Sequence, residues 1–234
     1  RRRKTRRKLS LELKIKEVIE KIGRARKSSP FNQKVDLIAA TKTRDISLIQ
    51  QCYKLGVLNI GENRIQEAEK KFVDFPGFNL LKKRFIGHLQ TNKVNKCLRL
   101  FDTVDSVDSL KLAKKINTSS VEKKTECLIE INTSKESQKH GFDPIVSEDI
   151  MSCFSFKNLD IVGLMTVGPY TSEEKKIRKS FKLLRTLKED INNELGDHKI
   201  KELSMGMTGD YEIGVQEGST MVRVGTGLFG ARNY

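Results

Sequence analysis

The sequence predicts an α/β fold: a (β/α)8 TIM barrel with one additional helix at its N-terminus. Two observations carry this expectation. Eight short apolar runs alternate with helical segments from residue 35 onward, without interruption. Parallel strands need such crossovers, and eight of them point to a closed barrel more than to an open sheet. In addition, the last two runs each end in a small-residue turn, Met205-Gly206-Met207-Thr208-Gly209 and Val224-Gly225-Thr226-Gly227. Barrels of this kind gather their chemistry at the C-terminal strand ends and often hold phosphate after strands seven and eight.

Each element follows from the residue pattern. Leu11, Ile15, Val18, Ile19 and Ile22 recur at helical spacing, Ser10 is suited to cap the start, and Ser28-Ser29-Pro30 ends the helix. Residues 35–41 read as a buried first strand ending at Lys42, and residues 45–55 as a helix ended by Gly56. The second strand falls at 57–60, before a charged helix over 62–72. A loop containing Pro76-Gly77 leads to the third strand at 83–86, a turn at Gly87-His88 and a helix over 90–99. The fourth strand is expected at 101–104 and its helix at 106–117. Residues 125–131 form the fifth strand, followed by a polar loop over 132–141 and a helix around 144–154.

The sixth strand spans 160–165. After it, Ile177, Phe181, Leu184, Leu187, Ile191 and Leu195 share one helix face, behind a Thr171-x-x-Glu174 sequence of capping-box form. The seventh strand spans 202–205, residues 208–217 form a short helix capped by Thr208, and the eighth strand spans 220–224.

Composition narrows the class. A hydrophobic content of 37% supports a sizeable core. No apolar run approaches membrane-spanning length, and the basic N-terminus has no apolar segment behind it, unlike a secretory signal. Cys52, Cys97, Cys127 and Cys153 are widely spaced without C-x-x-C, so neither a disulfide framework nor a zinc site is expected, and a reducing cytosol fits. His88, His140 and His198 show no metal-ligand spacing. The net charge is +15, and seven of the positive charges lie in residues 1–8, which read as a disordered basic tail ahead of a single domain over 9–234. A solvated tail, attraction to nucleic acid and an organellar address all fit that run.

The candidate site residues sit at strand ends. Lys42 ends a mostly apolar strand, where a desolvated amine can act as a nucleophile and form a Schiff base with an aldehyde; it also fits a surface lysine. Arg223 lies near the end of strand eight and, if buried, needs an acceptor: a phosphate oxygen, an aromatic ring nitrogen, or a carboxylate such as Glu62 or Asp210. Gly225 and Thr226 offer backbone N–H groups and a hydroxyl to a phosphate, and Ser204 another hydroxyl. Asn63 could bond a ring hydroxyl or the Schiff base, or start the next helix. His88 suits a general acid or base, or a half-exposed loop histidine, and Met165 an apolar lining.

These residues stand in motifs that resemble one family. They are Ala40-Thr41-Lys42-Thr43, Gly61-Glu62-Asn63-x-x-Gln66-Glu67, Phe85 through Lys93, Asn132-Thr133-Ser134, Glu136-x-x-Lys139-x-Gly141 and Gly163-Leu164-Met165. Leu203-Ser204-Met205-Gly206-Met207, Asp210, Val222 through Thr226 and Phe229-Gly230-x-Arg232-x-Tyr234 complete the series. Together they resemble the pyridoxal phosphate homeostasis proteins, small pyridoxal 5′-phosphate (PLP) binders on the alanine racemase barrel, PLP fold-type III. Lys83-Arg84 stand where that family often has Trp-His, Ile60 where Phe is common, and Arg64 where Tyr is frequent.

The resemblance implies that Lys42 holds PLP as a Schiff base, that Ser204, Gly225 and Thr226 contact its phosphate, that Arg223 faces the pyridine nitrogen, and that Asn63 lies near the ring. It implies an intracellular PLP carrier in vitamin B6 homeostasis without strong catalysis, with amino acids or PLP-dependent apoenzymes as further partners; the cysteine pattern makes the cytoplasm the expected place, and the lack of the racemases' extra domain makes a monomer the expected state. An arginine beside the ring nitrogen disfavours protonation there and makes PLP a poor electron sink. Racemisation on this fold uses a tyrosine from a further C-terminal domain, and the sequence stops ten residues after its last strand. The alternatives are a slow PLP-dependent racemase or lyase and, in another class, nucleic-acid binding through the tail.

Overall fold

The computed structural model describes residues 2–73 and 78–231. Eight parallel strands close a barrel in sequence order: β1 Asp36–Ala40, β2 Asn59–Glu62, β3 Lys82–Phe85, β4 Thr103–Val107, β5 Thr125–Glu130, β6 Leu159–Met165, β7 Glu202–Met207 and β8 Met221–Val224. The closing pair aligns Asp36 with Met221 and Ile38 with Arg223. Around it run α1 Arg2–Lys27, α2 Ile46–Lys54, α3 Ile65–Phe72, α4 Val94–Leu100, α5 Leu110–Ser119, α6 Glu148–Cys153, α7 Glu174–Leu195, α8 Tyr211–Gln216 and α9 Thr226–Phe229.

Alternation along the strands sorts residues between two environments. Outward residues such as Ile60, Phe85, Val104, Ile129 and Leu203 meet the helices in one large core. The α7 face of Ile177, Phe181, Leu184, Leu187 and Ile191 joins it as the spacing predicts. The extra helix has a specific position. Leu11, Ile15, Val18 and Ile22 of α1 pack with Ala39, Val222, Val224, Val215 and Leu228, covering the seam where β8 closes on β1. The barrel interior is different: a small apolar group of Ile38, Leu128, Met165 and Met221 shares it with buried ions. Arg84 and Asp105 pair at 3.1 Å, and the Thr103 hydroxyl donates to Asp105 at 2.7 Å.

Several boundaries differ from the sequence expectation, each for a local reason. The α1 helix runs through residues 2–8, where a disordered tail is expected, and Ser10 lies inside the helix instead of capping it. Lys, Arg and Leu are good helix formers, and no Gly or Pro interrupts this run before Gly23. The second strand begins at Asn59, because the Val57 N–H is used to finish α2 on the Cys52 carbonyl. Glu62 is therefore a strand residue, and α3 starts three residues later. Phe101 caps α4 through the Cys97 carbonyl, which moves β4 on to Thr103.

Asp105 and Ser106 are tolerated in β4 because each has a buried partner, Arg84 and the Gly87 carbonyl. The Thr171 hydroxyl accepts the Glu173 N–H and makes no capping box, and α8 starts at Tyr211 because Thr208 bonds elsewhere. The matches at Arg232 and Tyr234 and the Pro76-Gly77 turn lie outside the described residues. Among the described residues, no helix is long and apolar enough to cross a membrane.

Candidate cofactor site at the C-terminal strand ends

A cavity of about 1000 Å³ opens at the C-terminal ends of the strands. Its described lining includes Ala40, Lys42 and Arg44 after β1, Asn63 after β2, Lys139 after β5 and residues 167–172 after β6. Residues 207–210 and Arg223, Gly225 and Thr226 complete the wall. Four of these side chains are cationic, so the cavity is suited to an anionic ligand.

Lys42 is held by its neighbours on both sides. The Thr41 N–H donates to the Gly61 carbonyl at 3.0 Å and its hydroxyl to Glu62 at 2.7 Å. Thr43 adopts φ +61°, a left-handed conformation that is rare for a β-branched residue and costs about 1–3 kcal/mol. Its N–H donates to the Glu67 carboxylate. Lys71 ties the group together, reaching the Thr41 carbonyl at 2.8 Å, Glu62 at 2.9 Å and Glu67 at 2.6 Å. The turn that presents Lys42 is thereby fastened to α3. Burial pushes the Glu62 carboxyl above its ordinary range, and Lys71 pulls it back.

Asn63 follows β2 in a bend and does not start the next helix. Its Oδ1 is buried at the cavity wall without a partner among the described residues. Gly87 packs so closely on it that a Cβ there would lie 2.5 Å from the Asn63 carbonyl oxygen. That approach explains why the β3 turn carries glycine.

Arg223 is buried inside the barrel. Its Nη1 donates to the Ser204 carbonyl at 2.8 Å and hydroxyl at 2.6 Å, and its Nη2 to the Thr166 carbonyl at 2.7 Å. Among the described residues these acceptors are neutral; Glu62 lies on the outer face with Lys71, and Asp210 accepts the Met207 N–H at 2.6 Å. Burial lowers the Arg223 pKa, while Asp105, Glu130 and Asp210 raise it. One Nη2 hydrogen and the Nε–H remain for a ligand.

At the other end, the Thr208 hydroxyl accepts the Gly225 N–H at 3.3 Å and the Gly227 N–H at 3.2 Å. This holds the turn that leads into α9, with Thr226 as its first residue.

Five of the six sequence candidates, Lys42, Asn63, Arg223, Gly225 and Thr226, thus meet in one cavity. Ser204 lies a layer below, fully buried, with its hydroxyl on Arg223. Residue-by-residue reading missed Lys139, whose Nζ reaches Glu136 at 2.8 Å and the Gly168 carbonyl at 2.7 Å, joining two loops across the cavity mouth. The Glu136-x-x-Lys139 spacing was the available signal. It also missed Glu130, buried at the end of β5, whose carboxyl is pushed up to about 7 by desolvation and by Asp108, against the pull of Arg223.

The sequence profile of the alanine racemase N-terminal domain matches residues 14–233. A pyridoxal phosphate homeostasis protein of Aquifex aeolicus (strain VF5) is 33% identical over 228 residues, covering 94% of this chain and 98% of its own length. The chain belongs to the pyridoxal phosphate homeostasis protein family. The human pyridoxal phosphate homeostasis protein is 36% identical over 211 residues, with 85% of this chain and 77% of that one covered. The structure of PipY from Synechococcus elongatus PCC7942, determined with PLP bound, matches with a TM-score of 0.79 and 28% identity, covering 94% of this chain and 100% of that one. The pyridoxal phosphate homeostasis protein motifs around Lys42, Asn63, Lys139 and Arg223 all reach the same cavity.

Proposed function

We propose that this chain binds PLP in the cavity at the C-terminal strand ends and serves intracellular vitamin B6 homeostasis as a carrier without strong catalysis of its own. Residues 9–234 act as the binding domain, in the cytoplasm and as a monomer. Amino acids that react with the bound aldehyde and PLP-dependent apoenzymes that receive it are the further partners. The observation that carries the reading is the match between cavity and ligand. Lys42 supplies an amine, Asn63 an unpartnered buried acceptor, and Arg223 a fixed cation with two hydrogens left to give. The turn after β8 supplies the Thr226 N–H and hydroxyl as donors, beside the Gly225 and Gly227 N–H groups that Thr208 holds in place.

In this reading Lys42 holds the cofactor as a Schiff base, Gly225 and Thr226 receive its phosphate, and Asn63 accepts from the ring substituents. Arg223 faces the ring nitrogen, with Ser204 and Thr166 keeping the guanidinium in place. When bound, PLP supplies an electrophilic aldehyde and an electron sink, and a cation at the ring nitrogen weakens the sink. That favours carrier over racemase. Titrating the chain with PLP while following absorbance should saturate at one PLP per chain, and inorganic phosphate should compete. Incubation of the loaded protein with L-Ala should leave D-Ala formation far below ordinary enzyme turnover of about 1–1000 per second. Turnover in that range would replace the carrier reading by the racemase one.

A further inference from the structure

His88, Asp108 and His140 are far apart in the sequence, and nothing in their spacing suggests a common role. The barrel brings them together at the ends of three successive strands. His88 follows β3, Asp108 follows β4, and His140 lies in the loop after β5. The two imidazoles stack with centroids 3.8 Å apart and planes 12° apart. Both turn Nδ1 to the same carboxylate oxygen: Asp108 Oδ2 lies 2.8 Å from His88 Nδ1 and 3.9 Å from His140 Nδ1. All three donor atoms lie within 4.8 Å of one another, the single such group of three His, Cys, Asp or Glu residues among the described residues.

We propose that these three residues form a binding site for a divalent transition metal of the zinc class, with its remaining coordination positions open to water or an exogenous ligand. Two imidazoles and one carboxylate are a donor set that suits Zn²⁺, Co²⁺ or Ni²⁺ more than Mg²⁺ or Ca²⁺. Around a tetrahedral zinc, with bonds of about 2.0–2.1 Å, neighbouring donors are about 3.3 Å apart. The observed separations of 2.8 and 3.9 Å bracket that value, and the two exposed rings, stacked with planes 12° apart, must swing about their side-chain bonds to turn both lone pairs on one ion.

The carboxylate is positioned from behind, and the backbone that carries each histidine is fixed beside it. The Ser109 hydroxyl donates to Asp108 Oδ1 at 3.1 Å, which leaves Oδ2 facing the rings. The Ser106 hydroxyl donates to the Gly87 carbonyl at 2.6 Å and fixes the turn that carries His88. His140 sits next to Gly141, whose φ of +117° and contacts with residues 130–132 fix the end of its loop. The side chains of His88 and His140 are 44% and 55% exposed while that of Asp108 is 10% exposed, so solvent ions reach a held carboxylate. A bound ion would tie the loop bearing Lys139 to the β3 turn that packs on Asn63. It would therefore act as a clasp on the cavity rim, a role separate from the PLP reading.

The untagged, full-length, chelator-stripped protein decides the matter by calorimetric titration with Zn²⁺ and by the visible absorption of Co²⁺. The proposal expects one ion per chain and a weakening on the order of tenfold or more in each of His88→Ala, His140→Ala and Asp108→Asn. His198→Ala, which changes the remaining exposed histidine, should bind as the wild type does. His140→Ala alters an exposed loop side chain, so a loss of binding with an unchanged far-UV spectrum separates lost ligation from lost folding. Absence of saturable Zn²⁺ uptake at millimolar concentration, or uptake of equal affinity in His140→Ala and wild type, overturns it.

Discussion

Lys71 shows how strongly the cavity wall depends on residues outside its lining. Its ammonium neutralises Glu62, which is wholly buried, and it holds the carbonyl of Thr41 immediately before Lys42. Replacing Lys71 by Met leaves a buried carboxylate without its cation, a change that typically costs about 3–5 kcal/mol. Urea unfolding of Lys71→Met should show a loss of that size, and adding Glu62→Gln to the variant should recover part of it. A loss below about 1 kcal/mol would mean that the pair is screened like a surface salt bridge. At this scale the sequence was informative about the residues that touch the cavity. Lys42, Asn63 and Arg223 stand at strand ends, where the fold rule places chemistry. It offered Thr41 and Glu67 only as motif members and did not single out Lys71, because their role is set by α3 packing back on the β1 turn.

Among the elements, α1 is the one that a plain barrel does not require. It covers the β1–β8 seam, and its inner residues Leu11, Ile15, Val18 and Ile22 are all buried. Ile15→Ala should therefore destabilise the protein by about 2–4 kcal/mol through the cavity it leaves. Leu13→Ala, on the exposed side of the same helix, should stay within about 0.5 kcal/mol in the same denaturant series. Equal effects would show that α1 is not seated on the seam. The order and type of the strands and their crossover helices were legible because short apolar runs and helical patterns alternate without interruption. Strand ends were less so: β2 and β4 extend through polar residues that hydropathy reads as loop, Glu62 partnered by Thr41 and Lys71 on the outer face, Asp105 by Arg84 inside the barrel and Ser106 by the Gly87 carbonyl. Lys83-Arg84 illustrates the same point, since Arg84 is an interior partner of Asp105 and the Lys83 Nζ reaches Asp102 at 3.1 Å.

For the molecule as a whole, buried acid groups couple stability to pH. Glu130 is pushed from 4.5 to about 7 in the folded state, first by desolvation and then by Asp108. Folding thus takes up a proton between those values. The stabilisation it brings is complete below about 4.5, falls as pH rises toward 7, and amounts to up to about 3 kcal/mol. Burial shifts Glu62 and Asp210 in the same direction. Urea midpoints of the wild type should fall between pH 5 and pH 8 more steeply than those of Glu130→Gln, and parallel profiles would rule out this residue as the source. The sequence could not show this, since nothing in the β5 pattern says that Glu130 points into a closed barrel.

The central claim is that Lys42 anchors PLP in the cavity that Arg223 and the β8 turn complete. It is tested most directly by absorbance of the PLP-loaded protein beside Lys42→Ala, with borohydride reduction of each. The wild type should show the band of a lysine-bound cofactor and keep a reduced adduct that maps to Lys42, and the variant should lose both. A Lys42→Ala protein that retains the band and the trapped adduct would contradict the account.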